Sequence, residues 1–134
     1  MTVVAGIDVQ SIDEVKGSLA RFGDRYRRRL FSEHELEECE TNHEDVASGL
    51  ALRFAAKEAV LKVLKPNDRF PSWRKIEIHL PLHEAPKVVL SGEADEFARH
   101  HGIENISLSV SLVRGYAIAT VIAEVTRVDV DEHA

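Results

Sequence analysis

The stretch Arg53-Phe54-Ala55-Ala56-Lys57-Glu58-Ala59-Val60-Leu61-Lys62 sets three bases and one carboxylate among small apolar residues. On a helix, residues three and four apart share a face, so Arg53 stands above Lys57 and Glu58 above Lys62. These two ion-bearing edges flank an alanine surface that another backbone can approach closely. The set suits a metal-bound polyphosphate, with Glu58 on the cation and the bases on phosphate oxygens. A solvated, salt-bridged helix would show the same spacing. Asp8 follows the apolar run Thr2–Ile7 and is expected at a strand end, where core gives way to solvent. Alone it reads as a turn or helix-entry residue. Paired with Glu58 it offers two hard oxygen ligands of the kind Mg²⁺ accepts, and metal-assisted phosphoryl transfer uses such a set.

The elements that must position these residues are legible in outline. Thr2–Ile7 reads as a buried strand. Ser11 and Glu14 form a capping-box pattern for a helix to about Phe22, and Ser32 with Glu35 does the same for a helix over Glu33–Thr41. The arginine-rich segment after Gly23 reads as a short helix or helical loop. A long central helix is expected from near Glu44 to before Pro66, with Val46, Leu50, Phe54, Leu61 and Leu64 as its core stripe. Residues 65–72 form a loop, broken by Pro66, Asn67 and Pro71. Ile76, Ile78 and Leu80 alternate with charged residues or His79 as in a half-buried strand, and Lys87–Leu90 forms another. A helix over 92–101 precedes a hairpin of Ile106–Leu112 and Tyr116–Val125, whose second strand is nearly all apolar and expected to be buried. The expectation is one α+β domain over residues 1–126, an antiparallel sheet packed on one long central helix, with a polar tail at 127–134.

Composition narrows the function classes. The chain has 134 residues, a formal net charge of −6, 44% apolar and 30% charged residues, as expected for one ordinary globular domain and not for a general nucleic-acid binder. Arg21–Arg29 nevertheless holds five arginines against one aspartate, followed by seven acids and no Lys or Arg over Glu33–Asp45. Such a cluster reads as a docking site for an acidic protein or as a solvated face. The single cysteine, Cys39, excludes an internal disulfide and a cysteine zinc cluster, and reads as a packed thiol. The seven histidines show no ligand spacing. With no signal peptide and no apolar run long enough to span a bilayer, a cytoplasmic protein is expected.

Three motifs stand in a telling order: Gly6-Ile7-Asp8, then Phe31-Ser32-Glu33-His34-Glu35-Leu36, then Arg53-Phe54-Ala55-Ala56-Lys57-Glu58-Ala59 with Lys62. Together they resemble the holo-acyl-carrier-protein synthase type of 4′-phosphopantetheinyl transferase. The likeness continues through Trp73, Ile76-Glu77-Ile78, the Pro86 strand and Tyr116-Ala117-Ile118-Ala119. The resemblance implies that fold, and transfer of the phosphopantetheine arm of coenzyme A to a serine of an apo acyl carrier protein or polyketide synthase carrier domain, releasing 3′,5′-ADP. It implies Mg²⁺ held by Asp8 and Glu58, coenzyme A met by Arg53, Lys57, Lys62 and Pro86, and carrier docking on Arg21, Arg25 and Arg28. Lys62 would neutralise the leaving phosphate, and Glu58, directly or through a metal-bound water, would help take the serine proton. A homotrimer is implied as well. Departures mark a divergent member: Leu112 stands where the family has histidine, Glu14 where many members carry arginine, and Lys65-Pro66-Asn67 in place of a glycine-rich turn. The alternative is a relative that binds carrier proteins, or acts on carrier-bound intermediates, without moving the arm.

Overall fold

The computed structural model describes residues 2–42, 44–66 and 71–126. The expected tail 127–134, and part of the expected loop 65–72, lie outside them. In chain order the elements are β1 (Thr2–Ser11), α1 (Ile12–Phe22), α2 (Asp24–Leu30), α3 (Glu33–Thr41), α4 (Val46–Leu64), a 3₁₀ turn (Trp73–Lys75), β2 (Ile76–His79), β3 (Lys87–Leu90), α5 (Gly92–His100), β4 (Ile103–Val113) and β5 (Tyr116–Val125). All pairing is antiparallel, in a three-stranded ladder ordered β1-β5-β4 and a two-stranded ladder β2-β3. This is the expected α+β architecture, and α4 packs across β1 and β5 as its centre.

Local chemistry sets the helix ends. Ser11 Oγ accepts the Glu14 N–H at 3.2 Å to open α1, and Gly23, at φ 53°, closes it and starts α2. At α3 the capping box is complete: Ser32 Oγ takes the Glu35 N–H while Glu35 Oε1 takes the Ser32 N–H at 2.8 Å. Asp45 caps α4, which begins at Val46, within two residues of the expected start near Glu44. Lys65 adopts the left-handed conformation that ends it before Pro66.

The core stripe expected on α4 is corrected. Val46 is exposed, and Phe54 and Leu61 are only half-buried, whereas Ala47, Ala51, Ala55, Ala56 and Ala59 are buried with Leu50, Val60, Val63 and Leu64. A central helix touched by α1, α3, β1, β2, β4 and β5 has no single apolar face. Its alanines let the sheet come close, and Ala117, Ala119, Val121 and Ala123 of β5 fill the other side of that contact.

Three strand expectations also change. β1 continues past Ile7, because Val9 and Gln10 go on pairing with Ile118 and Ala117, so Asp8 lies inside the strand opposite Ala119. β4 begins at Ile103, and Asn105, at φ 54°, marks the register shift after which the readable alternation starts. β5 is buried on one face only. Its other face continues the outer side of β1, where Val3, Ile7, Val9 and Ile122 are each about half exposed or more.

Candidate functional site

The inner face of β1 presents Val4, Gly6, Asp8 and Gln10 toward α4, by the two-residue period of a strand. Gly6 has a specific reason to be glycine. A Cβ there would overlap the Ala59 carbonyl oxygen and crowd Lys62 Cβ at 3.2 Å. That contact brings Asp8 over the Glu58–Lys62 edge of the helix.

There Lys62 Nζ donates to the Ile7 carbonyl at 2.6 Å and to Asp8 Oδ1 at 3.3 Å, with its side chain still 54% exposed. Gln10 Nε2 donates to the other Asp8 oxygen at 2.7 Å. Gln10 was not singled out from sequence, although its spacing of two from Asp8 puts both on one strand face. Desolvation, and then the Asp8 charge, raise the pKa of Glu58, while Lys62 partly offsets them. A carboxylate so placed gains from any cation that arrives. Two carboxylates meet the usual protein contribution to an Mg²⁺ site completed by water and phosphate, so the donor set fits that ion. Among the described residues no cluster of three or more His, Cys, Asp or Glu side chains is placed to hold a metal.

The other edge of α4 points elsewhere. Arg53 is 0% exposed and donates to Glu44 Oε1 at 2.8 Å, Glu38 Oε1 at 3.0 Å and the Gly49 carbonyl at 2.9 Å. A Cβ on Gly49 would collide with Glu44 Oε1 and press on Arg53 Nη1 and Cys39 Sγ, which explains that glycine. Lys57, also 0% exposed, meets Glu35 Oε1 at 2.8 Å and the Trp73 and Ile76 carbonyls at 2.8 and 2.7 Å. Of the three bases read as phosphate ligands, only Lys62 reaches the surface beside Asp8 and Glu58. The carboxylate partners of the other two come from α3 and the loop after it, distant in sequence, and i,i+4 spacing cannot show them. Burial pushes the Cys39 thiol up to about 12, a packed, unreactive state.

The arginine cluster divides around α2. Arg25 and Arg29 line a groove of about 600 Å³ with Phe22, Tyr26, Leu30 and Trp73, while Arg21 lies over the Phe22 ring at 5.8 Å. Arg28 instead lines a separate cavity of about 270 Å³, with Arg27 and the acids Asp24, Glu33, Glu37 and Glu40. Of the expected trio, Arg25 and Arg28 thus line different cavities. Arg29, one turn beyond Arg25, shares its groove, as i,i+4 spacing on a helix allows. Glu14 shares the open surface of α1 with Arg21. Pro86 lies at the entry to β3, in the two-stranded ladder. Leu112, 49% exposed, sits opposite Ala117, which pairs with Gln10, so it shares the sheet face of Asp8 two strands away. His34 and His79, scattered in sequence, stack at 3.9 Å beside Glu77. No helix among the described residues is long and apolar enough to cross a membrane.

Residues 5–121 match the model of the 4′-phosphopantetheinyl transferase superfamily. A holo-[acyl-carrier-protein] synthase of Dehalococcoides mccartyi is 41% identical over 121 residues, covering 89% of this chain and 96% of that protein. The crystal structure of the Helicobacter pylori holo-[acyl-carrier-protein] synthase in complex with coenzyme A superposes with a TM-score of 0.77 at 31% identity, over 90% of this chain and 100% of that one. The Chronobacterium ammoniagenes synthase–coenzyme A complex gives 0.82 at 26% identity, over 95% and 100%.

Proposed function

The chain belongs to the 4′-phosphopantetheinyl transferase superfamily, and from that premise we propose that it moves the phosphopantetheine arm of coenzyme A to a serine of an apo acyl carrier protein or carrier domain. The observation that carries this reading is the meeting of Asp8, Glu58 and Lys62 at the β1–α4 contact, with Lys62 exposed and Glu58 raised in pKa. Asp8 and Glu58 would hold Mg²⁺, which supplies charge stabilisation to the phosphoryl group when bound. Gln10 holds the Asp8 carboxylate in orientation. Lys62 offers its ammonium to the phosphate that departs, and Glu58 accepts the serine proton. The serine oxygen–phosphorus bond forms as the bond to 3′,5′-ADP breaks. Coenzyme A meets Lys62, with Pro86 at a farther edge. Arg53 and Lys57 support the helix from within. An acidic carrier docks on Arg21, Arg25 and Arg29.

The exposed apolar face of Val3, Ile7, Val9 and Ile122 supports self-association, and we assign it to a homotrimer of the kind the family resemblance implies. Ile122→Asp should dissociate it in sedimentation velocity; an unchanged sedimentation coefficient would remove the assignment. A cytoplasmic location fits an enzyme with these substrates. The decisive assay adds Mg²⁺, coenzyme A and candidate apo carriers, and reads the phosphopantetheine mass increment. No increment on any carrier, with coenzyme A shown to bind, would refute the transferase reading. That result would favour a carrier-binding protein that does not transfer the arm, a reading supported by the exposed apolar Leu112. Activity created by Leu112→His would then mark a lost function.

A further inference from the structure

Lys57 has three ammonium N–H groups and no acceptor capacity. All three are taken: by Glu35 Oε1 at 2.8 Å, the Trp73 carbonyl at 2.8 Å and the Ile76 carbonyl at 2.7 Å. No proton remains for a phosphate, and with 0% exposure the ammonium has no route to one short of leaving the core. Glu35 is equally occupied. Its Oε1 also accepts the Ser32 N–H, and its Oε2 accepts the Ile78 N–H at 2.7 Å. The pair thus grips three backbone groups at the junction of the 3₁₀ turn and β2: the Trp73 and Ile76 carbonyls and the Ile78 amide. What that junction carries outward is the Trp73 indole. It packs on Phe54 of α4 at 5.0 Å and forms one wall of the groove lined by Phe22, Arg25, Tyr26, Arg29 and Leu30. An aromatic wall with an arginine rim matches an amphipathic helix bearing acidic residues around an apolar anchor.

We propose that Lys57 is a positioning residue: joined to Glu35, it fixes the Trp73 backbone so that the indole forms the wall of the carrier-docking groove, and it makes no contact with coenzyme A. The docking half rests on the transferase reading above; the positioning half does not. Breaking a buried pair by removing one partner leaves the other uncompensated, so the test removes both, as Lys57→Met with Glu35→Gln. Trp73 is the sole tryptophan, so intrinsic fluorescence reports on it alone. The expected result is a red-shifted emission with stronger acrylamide quenching, and a KM for the apo carrier raised about three- to tenfold, with KM for coenzyme A unmoved. Unaltered fluorescence with a raised KM for coenzyme A would overturn the proposal. Altered fluorescence with an unmoved carrier KM would overturn its docking half. If the double variant does not fold by circular dichroism, Trp73→Ala serves: a raised carrier KM with unmoved coenzyme A KM supports the groove wall, and no change refutes it. Failure of the wild type to transfer the arm would sink the transferase reading, while the fluorescence comparison would still decide the positioning role.

Discussion

Arg53→Met separates a structural base from a phosphate ligand most sharply. Arg53 is fully buried, and its guanidinium serves Glu38, Glu44 and the Gly49 carbonyl. Removing one member of a buried ion network costs about 3–5 kcal/mol, because the partners stay desolvated without compensation. Glu38 and Glu44 retain 12% and 22% side-chain exposure, so water can reach them in part and the low end applies. Glu38 also holds the Leu80 N–H at 2.7 Å, which limits how far it can turn. We therefore expect about 3 kcal/mol, a fall in Tm of roughly 10 °C for a chain of this size. Chemical denaturation should report the same loss as a lower urea midpoint. Adding Glu38→Gln and Glu44→Gln should restore part of the stability, since no orphaned carboxylate then remains. KM for coenzyme A, measured below the melting transition, should stay at the wild-type value. A Tm lowered by less than about 2 °C together with a raised KM for coenzyme A would refute the reasoning and return Arg53 to the phosphate site.

Three further outcomes follow from the site. Glu58 has a folded-state pKa above its ordinary 4.5, so the folded chain holds a proton that the unfolded chain releases, and stability should fall as pH rises from there through the folded value. Glu58→Gln should remove that fall in urea midpoints between pH 4.5 and 7 while abolishing transfer; an unaltered pH dependence would contradict the desolvated carboxylate. Gln10→Leu leaves Asp8 without its 2.7 Å donor and should weaken Mn²⁺ binding, read by electron paramagnetic resonance, about 10-fold or more; wild-type affinity would show that Gln10 orients nothing. Gly6→Ala forces a methyl into the Ala59 carbonyl and should cost about 1–3 kcal/mol while displacing Asp8 from Lys62. A variant as stable and active as the wild type would mean that the β1–α4 contact is looser than described.

Sequence by itself determined whatever depends on near neighbours in the chain. The capping box at Ser32 and Glu35, the glycine break at Gly23 and the helix end before Pro66 are local hydrogen-bonding and dihedral constraints, and each appears where its residues stand. The motif order also led to the family, because Gly6-Ile7-Asp8 and the Arg53–Lys62 helix keep their spacing. On α4 periodicity found Leu50 and Leu64 but missed the buried alanines and overrated Val46, since a helix enclosed on several sides shows no single stripe. Tertiary structure alone decided which bases are available. Lys57 and Arg53 find their carboxylates on α3 and in the loop after it, and the cost of desolvating a charge ties each to those partners. Lys62, three residues past Ala59 and over the strand that Gly6 lets in, keeps its ammonium at the surface beside Asp8. Identical charges on one helix thus divide into structure and site according to what each side chain meets, which spacing does not record.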